Sequence, residues 1–169
     1  MTKKSGFTLV ELLVVIAIIA IMSAVVLVAL NPLAILQKSR DSARLSDLDS
    51  MRKALDLAMT DGIIGLPGSS ASPVTGASNV GTRAADGTGW ISYNLITAPG
   101  LSKYLSTLPV DPRNSPTYFY RYASDGSTYE LDCKFESTDY QSKQSSDGGN
   151  DPEWYELGTN PGLVLLPPS

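Results

Sequence analysis

Along the chain, the first sustained pattern is apolar. From Phe7 to Leu30 there are 24 residues with a single charge, Glu11. As a helix rising about 1.5 Å per residue this run reaches about 36 Å, enough to cross a hydrocarbon core of about 30 Å with some tilt. Lys3 and Lys4 stand just before it, which places the N-terminus in the cytoplasm and the remainder outside, although Lys38 and Arg40 beyond the other end weaken that bias. Asn31-Pro32 follows at once, and a proline that removes a backbone donor predicts a bend or brief melting over Val28 to Pro32. Beyond it the period changes. Leu45, Leu48, Met51, Leu55 and Met59 recur at spacings of three and four and predict an amphipathic helix over 33–61. Arg44, Asp47, Asp49, Arg52, Lys53 and Asp56 mostly fill its other faces, and Thr60-Asp61-Gly62 supplies the stop. The apolar stripe calls for packing against a sheet.

Gly62 to Gly89 is rich in Gly, Ser, Ala, Thr and Pro and holds no durable period, so it is expected to be one long loop. From Trp90 the aromatic density rises. Pro99 to Thr107 suggests a short helix, and Thr117 to Ala123, Thr128 to Phe135 and Glu153 to Leu157 suggest strands, with Ser124-Asp125-Gly126 as a hairpin turn. The expected organisation is therefore a membrane-spanning helix at 7–30, its amphipathic continuation at 31–61, a Gly/Ser-rich loop at 62–89 and a β-rich globular part at 90–169. A long helix packed on a small antiparallel sheet is an α+β roll.

Charge and composition narrow the function. Residues 61–169 hold 12 acidic against 6 basic side chains, which gives no basic face for nucleic acid. There is no histidine and one cysteine, Cys133, so an intramolecular disulfide, a CxxC zinc site and histidine-based catalysis are all excluded. Cys133 is expected to be a plain buried thiol on an apolar strand, the alternative being a disulfide to another chain. No nucleophile and base pair or Gly-rich phosphate loop is present, and nothing in the spacing singles out two of the acids as a catalytic pair, so an enzyme is not expected.

Length and hydropathy alone leave a simple signal anchor open. A conventional secretory signal peptide fits poorly, because the apolar run is long and lacks a clear A-x-A site before Asn31. Glu11 argues against a mere anchor: a carboxylate one turn into a spanning segment is disfavoured by a few kcal/mol and calls for a function or a partner. No cation of the same chain is placed to meet it. Gly6-Phe7-Thr8-Leu9-Val10-Glu11-Leu12-Leu13 resembles the processing motif of type IV prepilins. In that family a membrane aspartyl peptidase cuts between the glycine and the phenylalanine, the new amino terminus is N-methylated, and the glutamate at the fifth mature position is needed for assembly. The resemblance implies a leader at 1–6, a scissile bond between Gly6 and Phe7, methylation at Phe7 and an assembly carboxylate at Glu11. It implies partners as well: the prepilin peptidase and methyltransferase, an assembly platform, membrane lipid before assembly, and further copies of the chain in a filament outside the cytoplasmic membrane. Pilins commonly carry their helix breakers earlier in this segment, so Pro32 is a departure.

Leu108-Pro-Val-Asp-Pro-Arg-Asn114, with Tyr118 to Tyr122, Asp125-Gly126 and Tyr129-Glu-Leu131, is similar to the C-terminal part of major pseudopilins of type II secretion and of related simple pilins. Those pseudopilins bind calcium in a loop near the C-terminus, and Asp147 and Asp151 of Asp147-Gly-Gly-Asn-Asp151 resemble its acidic residues. Oxygen side chains on a glycine-bent loop suit calcium, and they equally suit an ordinary solvated turn. The sequence does not place Asp132 or Glu136 relative to that loop. The expected function is a pilin polymerised into a type IV pilus-like filament for adhesion, motility or DNA uptake; the alternatives are a secretion pseudopilin and an anchored binding domain that never polymerises.

Overall fold

The computed structural model describes residues 6–159. Met1 to Ser5 of the expected leader, with Lys3 and Lys4, and the last part of the β-rich segment, 160–169, lie outside the described residues. The chain forms two compact units, 1–36 and 37–169.

The first unit is built on α1 (Leu9–Leu30). Its start is a capping box, in which the Thr8 side chain accepts from the Glu11 amide while the Glu11 carboxylate accepts from Thr8. Ser23 donates its hydroxyl back to the Ile19 carbonyl at 2.7 Å, so its polar group is satisfied inside the helix. Large apolar side chains are exposed around the helix, from Leu9 through Ile16 to Met22 and Leu30. One helix among the described residues, at Leu9–Val26, is long and apolar enough to cross a membrane. The expected bend is confined to one residue: Asn31 takes the left-handed conformation at φ 40°, which asparagine tolerates better than most side chains. Pro32 then opens α2 (Pro32–Thr60), where the first helical position needs no amide donor.

In the second unit α2 buries Leu48, Met51, Ala54, Leu55 and Ala58, which carries most of the expected stripe; Leu45 and Met59 pack at its margin. The helix ends in a Schellman arrangement, with the Gly62 amide on the Met59 carbonyl and the Ile63 amide on that of Ala58, at 3.0 and 2.9 Å. Gly62 supplies the required positive φ of 65°.

The main sheet has four strands in the order β2-β4-β5-β6, all antiparallel: β2 (Val74–Ala77), β4 (Arg121–Ser124), β5 (Tyr129–Cys133) and β6 (Tyr155–Gly158). A two-stranded pair joins β1 (Ile64–Gly65) to β3 (Asn94–Leu95). The 62–89 segment is thus not purely loop, because it contributes β1 and an outer strand of the main sheet. The short helix near 99–107 is a 3-10 turn at Gly100–Lys103, and a helix not expected from the sequence, α3 (Thr138–Gln144), precedes β6. Asp125 shapes the β4–β5 hairpin, accepting from the Ser127 and Thr128 amides at 2.9 and 2.7 Å, with Gly126 at φ 88°.

Tyr120, Tyr122, Tyr129, Leu131, Cys133 and Phe135 meet Leu48, Met51 and Leu55 of α2 in one core. Two tyrosines tie the sheet to the helix through their polar ends: Tyr120 donates to Asp47 at 2.8 Å and Tyr129 to Asp56 at 2.7 Å. Cys133 is fully buried and unpaired, and burial pushes its thiol well up, which makes it inert.

Candidate functional site

At the N-terminal motif, Gly6 and Phe7 are exposed and non-helical, and helix begins only at Leu9. An exposed, non-helical Gly6-Phe7 peptide just before a capped helix is open backbone, the form a protease needs. Glu11 accepts hydrogen bonds from both the Thr8 amide and the Thr8 hydroxyl at 2.8 Å, and its own amide donates to the Thr8 hydroxyl at 3.2 Å. The carboxylate therefore has neutral donors within the chain, which the sequence reading had not assigned to it. It faces no cation among the described residues.

A second cluster surrounds Arg44, which the helical pattern had placed on a polar face. Arg44 is instead fully buried. Its Nε and Nη2 donate to Asp111 at 2.6 and 2.9 Å, its Nη1 to Asp41 at 2.7 Å, and its Nη2 lies 2.8 Å from Glu136. Each acid keeps further donors. Asp41 accepts from the Glu136 and Ser137 amides at 3.0 and 2.7 Å, Asp111 from the Arg113 amide at 2.8 Å, and Glu136 from Arg40 at 2.7 and 2.6 Å. The Tyr118 ring lies under both Arg44 and Arg113. Burial alone would raise the Glu136 carboxyl, but its hydrogen bonds from Arg40 and Arg44 bring it down to about 2. Burial likewise opposes the charge on Arg44, and Asp111, Asp41 and Glu136 together outweigh it, so the guanidinium stays charged.

The third cluster lies on the face of the sheet turned away from α2. Alternation along Tyr129-Glu130-Leu131-Asp132-Cys133 sends Glu130 and Asp132 to that face, yet all five residues are buried. Asp132 stands opposite Arg121 on β4 and Glu156 on β6, and Glu130 lies opposite Gly158. Oxygens of Glu130, Asp132 and Glu156 come within 4.8 Å of one another. Arg121 Nε donates to Asp132 at 3.0 Å while its guanidinium stacks over Trp154, 3.7 Å from the ring centre. Burial, then the charge of Asp132, pushes the Glu130 carboxyl far above the usual carboxylate range; burial raises Asp132 too, against the opposing Arg121.

Asp147 and Asp151 lie in the loop that covers Glu156. Asp147 accepts from the Gly149 and Glu156 amides at 2.9 and 2.8 Å, Asp151 accepts from the Glu153 amide at 3.0 Å, and the Asp151 amide donates to Glu156 at 2.9 Å. Their oxygens are not among the converging set. Sequence reasoning missed Glu130 and Glu156 because strand alternation marks such acids as solvent-facing. Asp132 belongs with the loop-covered cluster and Glu136 with the Arg44 network.

No curated protein and no solved structure matches the chain. Its residues 1–27 match the family model of the prokaryotic N-terminal methylation motif, and with the apolar helix that this segment opens, the chain fits the type IV prepilin and pseudopilin class.

Proposed function

We propose that the chain is a pilin: a structural subunit cut between Gly6 and Phe7 by a prepilin peptidase, N-methylated at Phe7, and polymerised through α1 into a type IV pilus-like filament for adhesion, motility or DNA uptake. The observation that carries this is a helix long and apolar enough to cross a membrane, whose apolar side chains are exposed around it, with one carboxylate in its first turn. A filament of staggered helices gives that surface a second environment besides lipid.

Before assembly, membrane lipid covers α1 and the N-terminus is cytoplasmic. Cleavage creates an amine on Phe7 whose ordinary pKa of about 8 keeps it mostly cationic. In the bundle this amine meets Glu11 of another copy, replacing the neutral Thr8 donors with a charge. Neither group is then left buried and alone. Because breaking a buried pair leaves an uncompensated charge, Glu11→Ala impairs assembly far more than insertion. The helix break as late as Asn31 weighs toward a pilus. The likeness of 108–131 to major pseudopilins makes a secretion pseudopilus the second reading.

The test is the N-terminal mass of protein recovered from native membranes and from sheared surface material, in wild type and Glu11→Ala. The expected result is a mature chain starting at N-methylated Phe7, present in sheared filaments and lost from them in the variant. Mature chains held only in the cell envelope would indicate the pseudopilus. An intact leader, with both variants equally in the membrane, would leave an anchored domain that never polymerises.

A further inference from the structure

We infer that Glu130, Asp132 and Glu156 form a calcium site on the outer face of the sheet, joining β5 to β6. The site is distinct from the Asp147/Asp151 pair and holds for a filament subunit and an anchored domain alike.

The side chains are enclosed, with Glu130 1 %, Asp132 0 % and Glu156 2 % exposed. Both Glu130 oxygens and Asp132 Oδ1 are buried without a hydrogen-bond donor. A buried carboxylate with no donor is costly, and two further carboxylates beside it raise that cost. The positive charge at hand is Arg121, whose Nη2 is 2.9 Å from Asp132 and 4.0 Å from Asp151. One guanidinium cannot neutralise three carboxylates, and it meets Asp132 Oδ2, leaving Oδ1 and Glu130 facing each other and Glu156.

Geometry favours a single hard cation. Two oxygens on opposite sides of an ion that binds at about 2.4 Å stand about 4.8 Å apart, and neighbouring ligands stand closer. The three oxygens fall within 4.8 Å of one another, so one ion can touch all three. Magnesium keeps several of its waters and prefers a wetter site, whereas calcium accepts carboxylates from an enclosed one. The loop is already moulded to this arrangement: a Cβ on Gly149 would lie 1.8 Å from Glu156 Oε2, and Glu156 is further held by the Asp151 amide. Calcium would fasten the last strand and the 147–153 loop to β5 in a chain that has no disulfide.

The experiment uses the full chain in detergent, stripped with EGTA. Bound calcium after gel filtration is measured by elemental analysis, and thermal unfolding by circular dichroism in EGTA, in about 1 mM calcium and in about 1 mM magnesium, calcium levels at which extracellular sites fill. One calcium per chain and a midpoint raised by about 5 °C by calcium alone are expected. Both effects should vanish in a Glu130→Gln/Asp132→Asn variant with unchanged near-ultraviolet dichroism; if that variant does not fold, Glu156→Gln takes its place. Absence of calcium uptake by the wild type would overturn the site and indicate carboxyls sharing protons. So would uptake retained in these variants but lost in Asp147→Asn, or an equal shift with magnesium.

Discussion

Arg44 shows at the scale of one residue how far context can depart from pattern. Positions 41, 44, 48, 51, 55 and 58 are all buried on one face of α2, so the apolar stripe is continued toward the N-terminus by an aspartate and an arginine. A guanidinium suits that place because its planar fork reaches Asp111 with two nitrogens and still serves Asp41 and Glu136. Arg44→Met keeps the volume and removes the charge. Losing one member of a buried ionic set typically costs about 3–5 kcal/mol. Asp41, Asp111 and Glu136 each keep other donors, so the lower end, about 3 kcal/mol, is expected, read as a shift of the denaturant midpoint at unchanged slope. Glu11 was legible at once, because an acid in a long apolar run is conspicuous. Its local partner, Thr8, carries a sequence mark too, since Thr8-Leu-Val-Glu11 has the spacing of a capping box.

At the scale of elements, β4, β5 and β6 follow from aromatic-bearing runs, and the hairpin between β4 and β5 from Asp125-Gly126. β2 does not. Val74-Thr75-Gly76-Ala77 carries one large apolar residue and a glycine, composition that argues against a strand. What makes it one is its pairing with β4 and the close approach of Trp90, since a Cβ at Gly76 would stand 1.8 Å from the Trp90 carbonyl oxygen. Backbone on both sides cannot yield as a flexible side chain would. Gly76→Ala is therefore expected to destabilise the second unit by about 2–3 kcal/mol, lowering its thermal midpoint while the helicity of α1 in detergent is retained. α3 escaped notice because Thr138–Gln144 is short and carries no apolar period.

At the scale of the whole molecule, Glu136 joins α2, through Arg40 and Arg44, to the loop that carries Arg113. Its carboxyl is held at about 2, below the ordinary value of 4.5. A depressed acid stabilises the fold fully above its unfolded pKa, and that stabilisation is lost as pH falls from about 5 toward 2. The difference corresponds to about 3 kcal/mol. Denaturant unfolding between pH 5 and pH 2 is expected to show that loss in the wild type and a shallower one in Glu136→Gln. An equal slope in both would place the acid sensitivity elsewhere.

The sequence by itself determined the long apolar helix, the N-terminal methylation motif, the amphipathic continuation and the three aromatic strands, because each depends on neighbours a few residues away. Hydrophobic period, capping and turn chemistry are local forces and leave local marks. Only the tertiary structure decided which charges are buried. Arg44 meets Asp111 and Glu136 across 67 and 92 positions of chain, and Glu130, Asp132 and Glu156 converge because β5 and β6 pair in one register and a loop closes over them. Such contacts are set by how sheet, helix and loop come together, and strand alternation marks a covered acid and a solvated one alike.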